Sequence, residues 1–285
     1  MVNCNYILAI SYFILSLIIG VANDVIMKYV GQDINVYQIV FLRFFFAILS
    51  LIPVIIITGV GTLKTNAKFI HVVRGSLLFA GIAIWCYALN YVHISLATVI
   101  NFTIPIFVLI LAKFILKEKI GVSRWAATMI GFIGVLIVVK GPSEFDSTAA
   151  MLLLASLMFA LLDVINKKYV VQESIMSMMI YSNIVVSLLS APLAFSNWIS
   201  LSVIQLILLG LLGVGANLVL YFLIQAFKHA DASALVPYRY FELLISGAMG
   251  YMFFSEVPNL NTIFGALLII PSTLFMSYMA ARSKS

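Results

Sequence analysis

The sequence predicts an all-α membrane protein with ten transmembrane helices arranged as two inverted five-helix repeats. Three observations lead to this fold class. Of the 285 residues, 64% are hydrophobic and only 9% are charged, and the mean hydropathy is +1.17. Long apolar runs follow one another along the chain, and the second half repeats residue patterns of the first.

The composition excludes a soluble protein. An ordinary soluble domain is about half apolar and about a quarter charged, so this chain has too little polar surface to cover a soluble globule. A membrane-spanning helix takes roughly 20 apolar residues, and ten such helices would use most of the chain. This leaves no room for a soluble catalytic domain. The apolar runs do not alternate residue by residue, which excludes a transmembrane β-barrel.

The predicted spans are the apolar runs between polar, glycine or proline residues. They cover residues 6–28, 36–58, 72–91, 96–116, 122–140, 149–167, 175–195, 203–226, 232–253 and 260–280. An even number of spans places both termini on the same side of the membrane.

Lysine and arginine predict the orientation. With the N-terminus inside, twelve of the 16 Lys and Arg residues fall in inner segments, and only Lys28 and Lys140 fall in outer ones. This bias follows the positive-inside rule, so we expect both termini to be cytoplasmic. The net charge of +6 is thereby assigned to membrane orientation, and we expect no nucleic-acid partner.

The two halves of the chain resemble each other. Asp24–Val30, late in span 1, is similar to Asp163–Val170, late in span 6. We therefore predict one repeat in residues 1–143 (spans 1–5) and a second in residues 144–285 (spans 6–10). Because five is odd, the repeats enter the membrane from opposite sides, as in alternating-access transporters with a substrate site near the midplane. A duplication retained only for packing symmetry is the alternative.

Several stretches carry a family resemblance. The sequence from Ala88 to Val139 and the PheLeuArgPhePhePheAla run around Arg43 resemble the EamA-type drug/metabolite transporter superfamily. Within it, the chain bears a closer resemblance to the S-adenosylmethionine uptake transporters of obligate intracellular bacteria. The stretches that look shared are Ala22–Val25, Leu162–Lys168, Pro237–Leu243 and Ile269–Phe275.

The resemblance implies a ten-span secondary transporter that moves S-adenosylmethionine across the bacterial inner membrane by alternating access, by exchange with a related nucleoside. It implies a small-molecule substrate, a lipid environment and no cofactor. Export of drugs, amino acids or other metabolites, which the superfamily also performs, is the alternative.

The residues do not predict an enzyme or a metal site. An intramembrane enzyme needs a nucleophile with a base, or paired acids at matching depth, and the sequence offers no such set. The Gly59–Thr65 segment resembles a phosphate-binding loop, but Leu63 stands where that loop needs glycine. Cys4 and Cys86 are too far apart in sequence to suggest a disulfide or metal centre.

Charged residues inside spans are candidates for substrate contact, because each costs at least about 2.5–3.5 kcal/mol to insert. Glu242 lies deepest, and Arg239 precedes it by one turn of span 9. Glu242 could meet a substrate cation and Arg239 could clamp a carboxylate, unless the two form an internal ion pair. Asp163 could bind a cation or take a proton, or pair with Lys167 one turn away.

Arg43 in span 2 is a further candidate, since it could complement an aspartate or extend to the outer surface. Polar-handled aromatic side chains and one amide are expected to line a cavity, where the rings could stack on adenine or lie against a sulfonium. These residues are Trp85, Tyr181, Tyr221, Tyr238, Tyr240 and Asn217.

Pro105 and Pro237 interrupt spans 4 and 9. Each removes a backbone hydrogen bond, so we predict kinks that act as hinges beside the site. The alternative is that membrane helices simply tolerate proline at these positions.

Overall fold

The computed structural model describes residues 4–30, 34–89, 100–139 and 147–254, and residues 267 and 271. Within these ranges all regular structure is helical. The α-helices are α1 Cys4–Val30, α2 Val36–Thr58, α3 Lys68–Leu89, α4 Ile104–Leu111, α5 Val122–Val139, α6 Ser147–Tyr169, α7 Ile175–Phe195, α8 Val203–His229, α9 Ala232–Leu235 and α10 Phe241–Phe254. The predicted tenth span, 260–280, lies almost entirely outside the described residues.

Among the described residues, six helices are long and apolar enough to cross a membrane. They are α1, α2, α3, α6, α7 and α8. Helix α4 continues into a π-helical turn at Ala112–Leu116, which gives a shorter apolar helix over Ile104–Leu116. The chain is therefore a multi-pass membrane protein.

Local sequence sets the starts of α7 and α8. The Ser174 side chain accepts a hydrogen bond from the amide of Ser177, which satisfies a free donor of the first turn. Ser202 and Gln205 form a reciprocal capping box at the start of α8. These caps fix where α7 and α8 begin, and α7 carries several of the polar residues described below.

Two of the predicted spans are broken helices. In span 4 the chain turns at Phe102 and Thr103, and Pro105 lies in the first turn of α4. In span 9 a 3₁₀ segment, Val236–Tyr240, separates α9 from α10 and has Pro237 in its first turn. Proline fits a first turn because it lacks the amide hydrogen that would go unused there. Both prolines lie at helix breaks, and their hinge role stays a prediction.

The main helix contacts join the first half of the chain to the second. Helix α1 packs on α8 and α10, α2 on α7 and α8, α3 on α6 and α7, and α4 on α6. Gly213 of α8 sits directly on α2, where an added Cβ would lie 2.6 Å from the backbone nitrogen of Ala47. The two halves thus form one interleaved helical body with its polar interior between them.

Candidate functional site

A cavity of about 250 Å³ lies between the two halves of the bundle. Helices α2, α3, α6, α7 and α8, the residues around the span 4 break and the 3₁₀ segment all contribute to its wall. Among the described residues, its charged lining consists of Arg43, Arg74, Asp163 and Arg239, and its neutral polar lining of Asn101, Asn166, Ser182 and Asn183. Most of the remaining lining is aliphatic, with the two aromatic rings of Phe44 and Phe159.

Arg239 and Asp163 form an ion pair in this wall. The Arg239 Nη1 to Asp163 Oδ2 distance is 2.5 Å, and the two side chains are only 24% and 10% exposed. The partner that the sequence suggested for Arg239, Glu242, lies within electrostatic range but outside the cavity lining. Lys167, which the sequence suggested as an ion-pair partner of Asp163, instead donates to the backbone carbonyl of Phe227 at 2.5 Å.

Arg74 is the charged residue of the described cavity lining that the sequence did not predict. It is 1% exposed, and its Nε donates to Oδ1 of Asn166 at 2.7 Å. Its Nη1 donates to the Met178 carbonyl at 3.0 Å and lies 3.3 Å from Nδ1 of His71. The sequence pattern assigned Arg74 to an inner loop, so its place in the cavity was not predicted. Its spacing of three residues from His71, which places both side chains on one face of α3, is the signal that could have indicated it.

A polar network continues from Arg74 toward the α2–α3 and α6–α7 connections. His71 Nε2 lies 3.2 Å from Oε2 of Glu173 and 3.0 Å from Oγ1 of Thr65. Ser177 also donates to Glu173. Burial alone would raise the pKa of Glu173, but hydrogen bonds from Thr65, His71 and Ser177 together hold it below its ordinary value. Glu173 is therefore a carboxylate at neutral pH.

The same end of the bundle is tied together at the α4–α5 and α8–α9 connections. Glu118 accepts from the backbone amides of Ala232 and Ser233, each at 3.1 Å, and from the Ser233 hydroxyl. Arg124 binds Asp231 at 3.1 Å. We call this end, with its α2–α3, α4–α5, α6–α7 and α8–α9 connections, the closed end, because these contacts bridge the two halves there.

Arg43, Asp163 and Arg239 are the sequence-predicted residues that line the cavity. Arg43 lies over the Phe44 ring at 5.8 Å and within electrostatic range of Asp24. Asn217 is one step behind the wall, where its Oδ1 accepts from the cavity residue Asn183 at 2.8 Å.

The predicted aromatic residues lie outside the cavity lining. Tyr181 donates to the Leu63 carbonyl at 2.9 Å, Tyr238 is buried, and Tyr240 packs fully buried on Phe102. Two more face other surroundings. Trp85 packs on the cluster of Ala88, Ile100 and Leu152, and Tyr221 is 37% exposed.

The cavity is suited to a small molecule that carries charge of both signs. It offers guanidinium donors and a carboxylate at fixed positions, amides that donate or accept, and apolar walls with two aromatic rings. A mostly apolar pocket with a few convergent polar groups is the usual form of a small-molecule site.

Comparison with known proteins identifies the family. The EamA-like transporter family matches residues 7–140 and 146–278. The chain is 44% identical to the S-adenosylmethionine uptake transporter of Rickettsia prowazekii (strain Madrid E) over 98% of its length and 96% of the relative. It is 30% identical to the riboflavin transporter of Brucella anthropi over 84% of its length and 86% of the relative.

A solved structure shares the fold. The match to a crystal structure covers 99% of each chain at a TM-score of 0.81, with 15% sequence identity.

The family resemblance predicted from Ala88–Val139 is confirmed. With family matches over both halves and full-length relatives at 44% identity, the chain belongs to the EamA-like transporter family and is a membrane transporter.

Proposed function

We propose that this transporter moves S-adenosylmethionine across the bacterial inner membrane by alternating access. The observation that carries the proposal is the 44% identity, over 98% of the chain, to a protein named as an S-adenosylmethionine uptake transporter. A second such relative, from Rickettsia felis, is also 44% identical over 98% of the chain.

The chemistry of the cavity supports this substrate. S-adenosylmethionine has a sulfonium, an ammonium, a carboxylate and an adenine ring. The lining provides Asp163 for a cation and arginines for the carboxylate. The rings of Phe44 and Phe159 are available for the adenine or the sulfonium, in place of the tyrosines and Trp85 that the sequence suggested.

We further propose that residues 1–143 and 144–285 are inverted repeats. The family matches twice, once in each half, which supports two repeats. The helix contacts support a twofold relation. When each span is exchanged with the span five later, the α1–α8 contact becomes α6–α3, α2–α8 becomes α7–α3, and α1–α10 becomes α6–α4. In alternating-access transporters, such repeats rock about a site between them.

The orientation proposed from the sequence places the closed end at the cytoplasmic face, with both termini there. Eleven of the 16 Lys and Arg residues would then lie on that side, with Arg74 in the cavity wall, and this bias agrees with the positive-inside rule. The contacts of Glu118 with Ala232 and Ser233 would form the inner gate of a state that is closed toward the cytoplasm.

The direct test is uptake of labelled S-adenosylmethionine by purified protein in liposomes. We expect saturable uptake that Arg239→Gln abolishes, because the variant leaves Asp163 without its counter-ion in the cavity wall. Lys168→Gln is the matched control, since it removes one positive charge from an exposed position on α6 and should retain uptake. Saturable uptake that is equal in all three proteins would remove Arg239 from the site. If wild type shows no saturable uptake, S-adenosylmethionine is not the substrate.

Other relatives define the second candidate. One match, 24% identical over 89% of the chain, is the pseudopaline exporter of Pseudomonas aeruginosa, and another is the riboflavin transporter already described. Competition by riboflavin against labelled S-adenosylmethionine separates these readings. We expect none, and strong competition would favour a broader metabolite carrier.

A further inference from the structure

The charge balance inside the cavity differs among its three arginines. Arg239 has a carboxylate partner, Asp163, at 2.5 Å. Arg43 lies near the carboxylate of Asp24. The described hydrogen bonds of Arg74 go to an amide, a backbone carbonyl and an imidazole, all of them uncharged acceptors when the imidazole is neutral.

The carboxylate nearest to Arg74 along its network is on the far side of His71. Glu173 bonds to Nε2 of that ring, while Arg74 lies at Nδ1. A buried guanidinium that is 1% exposed and bonded to neutral groups is costly unless an anion approaches it. The cavity is the space from which such an anion can come, because Arg74 forms part of its wall.

The position of the guanidinium is fixed before any ligand arrives. Asn166 holds Nε and the Met178 carbonyl holds Nη1, so among the described residues these bonds use two of its three nitrogens. Arginine has five N–H donors in a rigid planar fork, and the contact of Nη1 with Nδ1 of His71 uses a third, which leaves the two donors of Nη2 for a carboxylate. A preorganised donor of this kind favours a planar anion over a neutral group.

We propose that Arg74 binds the carboxylate of the transported molecule, and that the transporter therefore selects substrates with a carboxylate over analogues without one. This proposal rests on the proposed function and makes it more specific. It also reassigns the carboxylate from Arg239, whose guanidinium is bonded to Asp163, to an arginine on the opposite half of the chain.

The test compares two ligands that differ only in this group, S-adenosylmethionine and its decarboxylated analogue, by equilibrium binding to the purified full-length protein in detergent. We expect wild type to bind S-adenosylmethionine at least roughly tenfold more tightly, as the loss of a charge-assisted hydrogen bond implies. Arg74→Gln should bring the two dissociation constants close together, while Arg74→Lys should keep part of the preference.

A second variant tests the same point with little change in shape. Asn166→Asp would place a fixed carboxylate on the Nε side of Arg74 and compete with the ligand, so it should also lower the preference. Lys68→Gln, at an exposed position on the same helix as Arg74, controls for the loss of one positive charge and should keep the wild-type ratio.

The outcomes separate the two proposals. Wild type that binds neither ligand would overturn the proposed function and this inference with it. Wild type that binds both ligands equally would overturn the inference alone. If Arg74→Gln does not fold, the inference is still tested by the ratio of the two dissociation constants in wild type and in Asn166→Asp. A folded Asn166→Asp protein that keeps the wild-type preference for S-adenosylmethionine would contradict the role of Arg74.

Discussion

Replacing Asp163 by asparagine should destabilise the protein far more than the same change at a comparable exposed pair. Asparagine keeps the shape and a carbonyl acceptor, so the change removes mainly the charge that balances Arg239. The two side chains are 10% and 24% exposed. Breaking a buried ion pair costs about 3–5 kcal/mol, because the remaining charge is left uncompensated.

The expected magnitude lies at or just below the lower end of that range. Arg239 is partly accessible through the cavity, so solvent there screens part of the lost charge. We therefore expect Asp163→Asn to lower the free energy of unfolding by about 2–3 kcal/mol. In a double-mutant cycle with Arg239→Gln, the double variant should lose less free energy of unfolding than the two single variants lose together. We expect a coupling energy of about 2 kcal/mol.

Asp231 provides the matched control for this cycle. It also pairs with an arginine, Arg124, but its side chain is 53% exposed. An exposed ion pair contributes about 0–1 kcal/mol, so Asp231→Asn should change stability little. The assay is reversible unfolding of the purified protein in mixed micelles with increasing denaturing detergent. A coupling energy below about 0.5 kcal/mol, or equal effects of the two aspartate variants, would refute the reasoning.

Two further predictions concern packing and pH. Gly213→Ala should cost about 1–3 kcal/mol, because the new Cβ would lie 2.6 Å from the backbone nitrogen of Ala47 and push α8 from α2. Gly210→Ala, one turn away and with no atom within 4 Å of the new Cβ, should be neutral or stabilising. Equal thermal unfolding midpoints for the Gly213→Ala and Gly210→Ala variants would contradict this reasoning. The depressed pKa of Glu173 contributes stability that is fully present above the ordinary value of 4.5 and is lost as the pH falls below it. Glu173→Gln should therefore flatten the fall of the unfolding midpoint between about pH 5 and pH 3, and an unchanged acid limb would exclude Glu173 as its source.

The helices were predictable where a continuous apolar run defines them. The span predicted at 36–58 is α2 Val36–Thr58, and that at 175–195 is α7 Ile175–Phe195. The span predicted at 203–226 is shorter than α8, which continues to His229. Helical hydrogen bonding continues past the last apolar residue, because the polar side chains there can leave the hydrocarbon while the backbone stays helical.

The site was predictable only in part, because its contacts join distant parts of the chain. Asp163 and Arg239 were each expected to be functional, but local spacing offered Lys167 and Glu242 as their neighbours. The observed pair is separated by 76 residues, and one sequence contains no signal for such a contact. Arg74 was hidden for the opposite reason, since the positive-inside rule counts it with surface charges although α3 carries it into the cavity wall.

Counterflow tests the central claim, which is that one cavity between the two halves is exposed to each side of the membrane in turn. Liposomes that contain the protein are loaded with unlabelled S-adenosylmethionine and diluted into a trace of labelled ligand. An alternating-access carrier will accumulate the label inside transiently, above its equilibrium level, because returning sites are occupied by unlabelled molecules. Label that only rises to equilibrium, with no overshoot, would contradict the account and indicate a passive pore.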